Sequence, residues 1–302
     1  MKVAAAALAA LALCSFAAGA ATRSRALAGC SVFPADNPWT QRFDSLPVAS
    51  NSDAIISTIG AGTGLHPDFG SGKWDGGPIG IPYNVVTAAT KKVPVRFYYG
   101  DESDPGPYPI PSKPAIEFGS DHHILVVDSS ACRLYELFDA RKKGGKWTAG
   151  SGAIWSLSSN ALRPAGWTSA DAAGLQILPG LARWDEVAAG HIDHALRFTV
   201  QHSRRAYVYP ATHYASSLTD PDLPPMGLRL RLRASFDTST FPAQARVVLD
   251  ALKRYGMVVA DNGSNWYISG APDAHWNNDD LHTLGRVKGS DFEVIDPAAI
   301  HP

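Results

Sequence analysis

The sequence predicts a mainly β fold, an antiparallel sandwich or jelly-roll-like single domain with one main α-helix and long loops, and three observations predict it. Short apolar runs alternate with a period of two. Gly and Pro, 27 and 22 among 302 residues, punctuate those runs. One stretch alone carries the i, i+4 apolar stripe of a longer amphipathic helix. With 45% hydrophobic residues the chain can bury one sizeable core.

The chain opens with Met1-Lys2-Val3 and an apolar run from Ala4 to Ala18, too short to span a bilayer and long enough to engage an export machinery. Ala18-Gly19-Ala20 has the small-x-small pattern of a signal peptidase site, so residues 1-20 are read as a signal peptide and 21-302 as a single secreted β-rich domain. Cys14 leaves with the signal, and an oxidising compartment then pairs Cys30 with Cys132. Leu27-Ala28-Gly29-Cys30 also spells a lipobox, which makes a lipid anchor through Cys30 the minor alternative. Charged residues between Thr22 and Arg25 interrupt the apolar approach to that box, and lipidation would strand Cys132.

Residues 30-60 read as an N-terminal arm stapled to the body by the disulfide, ending in a short helix that Asn51-Ser52-Asp53 can cap and Gly60 stops. A Gly-rich loop over 60-82 carries His66, Asp68, Trp74 and Asp75. A strand is expected over Val93-Tyr99, then a stiff proline-rich loop over Ser103-Pro114. His122-Asp128 and Arg133-Phe138 read as a β-hairpin turning at Cys132. Residues 150-184 read as long loops. In His191-Val200, alternation sets Ile192, His194, Leu196, Phe198 and Val200 against His191, Asp193 and Arg197. Further strands are expected over Arg205-Tyr209 and Gly227-Phe236, the main helix over Pro242-Tyr255, and a last hairpin pairing Met257-Ala260 with Trp266-Ser269 around Asp261-Asn262-Gly263.

A net charge of −1 and a pI near 6.8 argue against nucleic acid or an anionic membrane surface as partner, since both demand a positive field. No Gly-x-Ser-x-Gly elbow, phosphate-cradling loop, His-Glu-x-x-His or zinc-spaced cysteine pair is present. What remains is His, Asp, Glu and Trp gathered at strand ends and loops. Asp121-His122-His123 faces Glu136 across the first hairpin, and His191-x-Asp193-His194 forms a second group that lacks a third metal ligand. No metal and no cofactor are predicted.

Asp171, in the small-residue run Trp167-Gly174, is the preferred catalytic carboxylate, with Glu136 or Asp193 as its partner. Glycosidic chemistry needs such a pair, ~5 to 5.5 Å apart for retention and ~6.5 to 9.5 Å for inversion. His123 or His194 would tune proton transfer. The plainer alternative has Asp171 capping its own turn. Trp74, Trp155, Trp167 and Trp184, with Arg197, are the substrate-binding candidates, indoles offering platforms for sugar rings. Arg229, Arg231 and Arg233 alternate with leucines and read as a solvated face, or alternatively as readers of a uronate chain.

The runs CSVFPADNPW, DHHILVVD, CRLYELFDA, GWTSADAAGL, DHALRF, PPMGLRLR and ADNGSNWYISGAPD resemble those of a family of secreted bacterial proteins described only as hypothetical. The resemblance implies a bacterial source and a single domain, and carries no activity across. The expected function is therefore a secreted polysaccharide-active enzyme, most simply a glycoside hydrolase, or a lyase if the glycan is a uronate. The partner is a polysaccharide or glycan and the chain a monomer. The rival is a non-enzymatic carbohydrate-binding or cell-envelope protein.

Overall fold

The computed structural model describes residues 26-300. The signal peptide, its cut after Ala20 and Cys14 lie outside the described residues. Strand accounts for 27% of the structure and helix for 18%, so the molecule is β-rich.

In chain order the principal strands are β1 (His66–Asp68), β2 (Tyr83–Val86), β3 (Val95–Phe97), β4 (Ile124–Asp128), β5 (Arg133–Phe138), β6 (Arg141–Lys143), β7 (Lys146–Ala149), β8 (Ser151–Ser156), β9 (Leu196–Val200), β10 (Arg229–Leu232), β11 (Met257–Asn262), β12 (Tyr267–Ser269) and β13 (Phe292–Val294). The helices are α1 (Ser52–Ile59), α2 (Trp184–Ala188), α3 (Ala243–Arg254) and α4 (Asn278–His282). The strands form a six-stranded sheet ordered β13-β10-β11-β9-β12-β1, a four-stranded sheet β8-β5-β4-β2 and a three-stranded sheet β6-β7-β3. Each is mixed: β9–β11, β12–β1, β2–β4 and β3–β7 pair parallel within an otherwise antiparallel set.

Strand β4 explains the layering. All five residues of its ILVVD run are buried, which alternation alone does not require. Leu125 and Val127 join Leu134 in the main core with the six-stranded sheet, whereas Ile124 and Val126 join Tyr135 and Leu137 in a smaller core with Val95, Trp147 and Ala149 of the three-stranded sheet. The four-stranded sheet is thus a middle layer, and a strand buried on both faces reads as a continuous apolar run.

The expected hairpin is present: β4 and β5 pair antiparallel, with Cys132 in the turn and disulfide-bonded to Cys30, 102 residues away. Because the Cys30 sulfur is taken up in that bond, no thiol is left there for a lipid thioether, which corrects the lipid-anchor alternative. The arm behind Cys30 docks through Val32, Phe33, Trp39 and Phe43, all buried in the main core. Helix α1 ends at Gly60, whose φ of 108° is costly for any other residue and whose N–H caps the Ile56 and Ser57 carbonyls. Helix α3 buries Ala245, Val248, Leu249, Ala251 and Leu252, much of the predicted stripe. Among the described residues no helix is long and apolar enough to cross a membrane.

Four local expectations are corrected. Strands β11 and β12 do not pair with each other: β9 lies between them, parallel to β11 and antiparallel to β12. Arg205-Tyr209 contributes only an isolated bridge from Tyr207 to Met226, and the strand expected from His191 begins at Leu196. The arginine ladder is not a solvated face, because the arm covers it. Arg229 is buried, its guanidinium 4.2 Å from the Phe43 ring centroid and donating to the Pro38 carbonyl at 3.0 Å, while Arg231 donates to Glu293 at 2.7 Å.

Candidate functional site

The site is a cavity of about 590 Å³ whose floor is an in-register band of side chains across four strands of the six-stranded sheet. Thr199 on β9 sits opposite Asp261 on β11 and Tyr267 on β12, and Tyr267 sits opposite His66 on β1. Residues so paired share a sheet face, and Arg197, two positions from Thr199, shares it too. Leu196, Phe198 and Val200 take the other face into the main core, as the alternation predicts. The His66 and Tyr267 rings stack with centroids 4.0 Å apart.

A bulge is what brings Asp261 to this face. The β9–β11 register runs Arg197 to Val258 and Phe198 to Val259, then skips Ala260 so that Thr199 meets Asp261. Were Ala260 itself paired with Thr199, Asp261 would fall opposite Val200 and point toward the core; bulges commonly re-aim side chains in this way.

Arg197 is buried and organises the acids around it. Its Nη2 and Nε donate to the two Asp171 carboxylate oxygens at 2.9 and 3.3 Å, its Nη1 donates to Ser269 Oγ at 2.6 Å, and Nη2 lies 3.9 Å from Asp261. Burial pushes both carboxyls up, and Arg197 opposes this most at Asp171, which it clasps in a bidentate fork. The proton of the pair therefore belongs on Asp261, which burial, reinforced by the Asp171 charge, pushes up to about 7.

The opposite wall comes from the loop entering β4. His123 is buried, with Nδ1 facing the Glu117 carboxylate and Nε2 3.0 Å from the Ala170 carbonyl. Both partners can only accept, so both ring nitrogens carry protons. Burial opposes that charge, but the Glu117 carboxylate outweighs it and holds His123 at about 9; reciprocally, burial would raise Glu117 but His123 keeps it below the usual carboxylate range. Glu117, Asp121 and His123 bring ligand atoms within 4.8 Å of one another. A ring protonated on both nitrogens has no lone pair to offer a metal, so a cation at this trio would have to displace a His123 proton.

Of the residues singled out from the sequence, His66, Asp68, Trp74, Asp121, His123 and Arg197 line this cavity, and Asp171 lines a second cavity of about 440 Å³ next to it. Trp74 is 78% exposed at the lip, on a two-stranded ribbon whose Gly77 packs so closely on Phe118 that a Cβ would sit 1.9 Å from its Cγ. Glu136 is sealed in the core, where its carboxylate accepts from the Ile177 and Leu178 N–H groups at 2.9 to 3.0 Å; burial, against those bonds, pushes it up to about 7. Asp193 and His194 stand elsewhere, His194 between the Ala195 carbonyl and Glu186 and Asp193 paired with His191 at 3.0 Å. Trp155 is buried, Trp167 lies beside the Arg163 guanidinium, and Trp184 stacks on His275.

Asp261 and Tyr267 were not singled out from the sequence. The signal that could have found Asp261 is its place at the carboxyl end of a strand parallel to its neighbour, where open mixed sheets build sites. Reading Asp261-Asn262-Gly263 as a hairpin turn hid it. No model of a known protein family matches the chain, and neither does any curated protein or solved structure.

Proposed function

We propose that the chain is a secreted polysaccharide-active enzyme, most simply a glycoside hydrolase, acting as a monomer on a sandwich-like β scaffold. The observation that carries this reading is the meeting, at one cavity, of a carboxyl that burial raises with other acidic side chains. Asp261, raised to about 7, stands with Asp121 at the boundary of both cavities, near the Glu117–His123 pair. A carboxyl raised by burial and a second carboxyl lining the same cavity can supply an acid and a base. Asp261 gives its proton to the glycosidic oxygen as the bond to the anomeric carbon breaks; Asp121 takes a proton from the water that attacks that carbon. Arg197 and Asp171 act as positioning residues: Arg197 clasps Asp171 and stands 3.9 Å from Asp261, and the Asp171 charge joins burial in favouring the Asp261 proton, against the pull of the guanidinium. Glu136, sealed away, has no part in this scheme.

The lyase variant has less support, because the arginines that could read a uronate chain are occupied by the arm and by Glu293. The test is release of reducing ends from a panel of neutral, amino-sugar and uronate polysaccharides by wild type, Asp261→Asn and Asp121→Asn. Cleavage lost in both variants supports the reading. Turnover that survives Asp261→Asn removes it, and binding without turnover by wild type moves the assignment to the non-enzymatic carbohydrate-binding protein.

A further inference from the structure

Resting on that reading of the site, we infer that the substrate is a long neutral or amino-sugar chain bound across the acid–base pair and cut internally. Three depressions, of about 590, 440 and 520 Å³, join end to end. The first and second share Asp121, Asp261 and Asn262; the second and third share Tyr99 and Phe138. The proton-transfer groups therefore stand at a junction with room on both sides. An enzyme that trims chain ends needs a closed pocket on one side of its acid; an open passage on both sides suits the interior of a chain.

The aromatics fall at the two ends of this track. Trp74 projects at the outer lip of the first depression, and its ribbon is braced against Phe118, next in sequence to Glu117. At the far end Tyr98 and Tyr99 are 83% and 49% exposed, their rings edge to face at 4.7 Å. Large exposed aromatic rings flanking a polar passage are what the faces of successive sugar rings require.

The charge of the lining narrows the chain chemistry. The two cations of the first depression are already matched, Arg197 by Asp171 and His123 by Glu117. Asp68 and Asp121 there, and Glu102 in the second, add negative charge. A polyanionic uronate would meet like charge in the first two depressions, Arg96 lining the third, whereas a neutral glycan is tolerated and an amino sugar is attracted.

The experiment uses Asp261→Asn to measure binding of oligosaccharides of increasing length from laminarin, xylan, chitosan and alginate by calorimetry, and wild type to map the cut position on the same oligomers. Affinity should rise with length well beyond two sugar units for a neutral or amino-sugar series. Trp74→Ala and Tyr99→Ala should each weaken binding by about threefold to tenfold, the scale of one lost aromatic platform, and should move the cut in opposite directions along the oligomer. Length-dependent binding without any cleavage would keep the groove and remove the hydrolase. Cleavage confined to terminal units, affinity that saturates at one or two sugars, or a preference for alginate would overturn the internal-cut proposal while leaving an enzyme. No binding by any neutral or amino-sugar oligomer would overturn it outright.

Discussion

Replacing Cys30 and Cys132 together by serine removes a cross-link between residues 102 positions apart. In the chain-entropy model a loop of that length is worth about 5 kcal/mol, because the unfolded chain regains the freedom that closure had removed. Unfolding a body of roughly 270 to 280 residues carries about 2.1 cal/mol/K per residue, so the loss corresponds to a fall in Tm of about 8 °C. The native state should change little, since Phe33, Trp39 and Phe43 remain buried in the main core and keep the arm docked. Circular dichroism of wild type and the double variant would measure both quantities, the near-ultraviolet spectrum before heating and the melting curve after it. A Tm lowered by less than about 2 °C would refute the loop argument. A native spectrum already lost at 25 °C would refute the claim that packing alone holds the arm.

Arg197→Met should cost about 3 to 5 kcal/mol by leaving Asp171 buried without its partner, and Arg197→Met with Asp171→Leu should recover most of it in urea unfolding. Arg229→Met should cost far less or stabilise, because this buried guanidinium, which burial pushes down to about 9, rests on a ring and a carbonyl rather than a carboxylate. His123, raised to about 9 from 6.5, contributes stabilisation that is full below 6.5 and lost as pH rises through 9. Melting temperature should therefore fall across that window by the equivalent of on the order of 3 kcal/mol, and His123→Gln should flatten the fall. Since Asp261 must be protonated to act, activity on the cleaved polymer should decline as pH rises through about 7, and Asp261→Asn should lower it by about 10²- to 10⁴-fold and abolish that limb of the profile.

The sequence makes the local parts of this molecule legible and the non-local parts much less so. The β4–β5 hairpin, α1, α3 and the Cys30–Cys132 pair follow from runs, caps and counts that sit within a few residues of one another or admit one pairing. The alternation through Leu196, Phe198 and Val200 also gives the right face to Arg197. What alternation cannot give is which strand lies beside which. The insertion of β9 between β11 and β12 joins segments some sixty residues apart, and it turns an apparent hairpin loop at Asp261 into the edge of a cavity. The arm over β10 works the same way: Arg229 alternates like a surface residue, and only Phe43, far upstream, makes it a buried one. Glu136 and Asp171 were attractive as a carboxylate pair, yet one answers backbone N–H groups and the other an arginine.

Ala260 has no partner of its own in the β9–β11 ladder, and everything after it is shifted by one. The placement of Asp261 is in this sense written in register: which residue of β11 is left unpaired decides whether that carboxyl meets the cavity or the core. Closing the bulge so that Ala260 takes the place opposite Thr199 would leave every side chain in the sequence and turn Asp261 away from the cavity. Pairing register along β11 is therefore as much a part of how this cavity is encoded as residue identity.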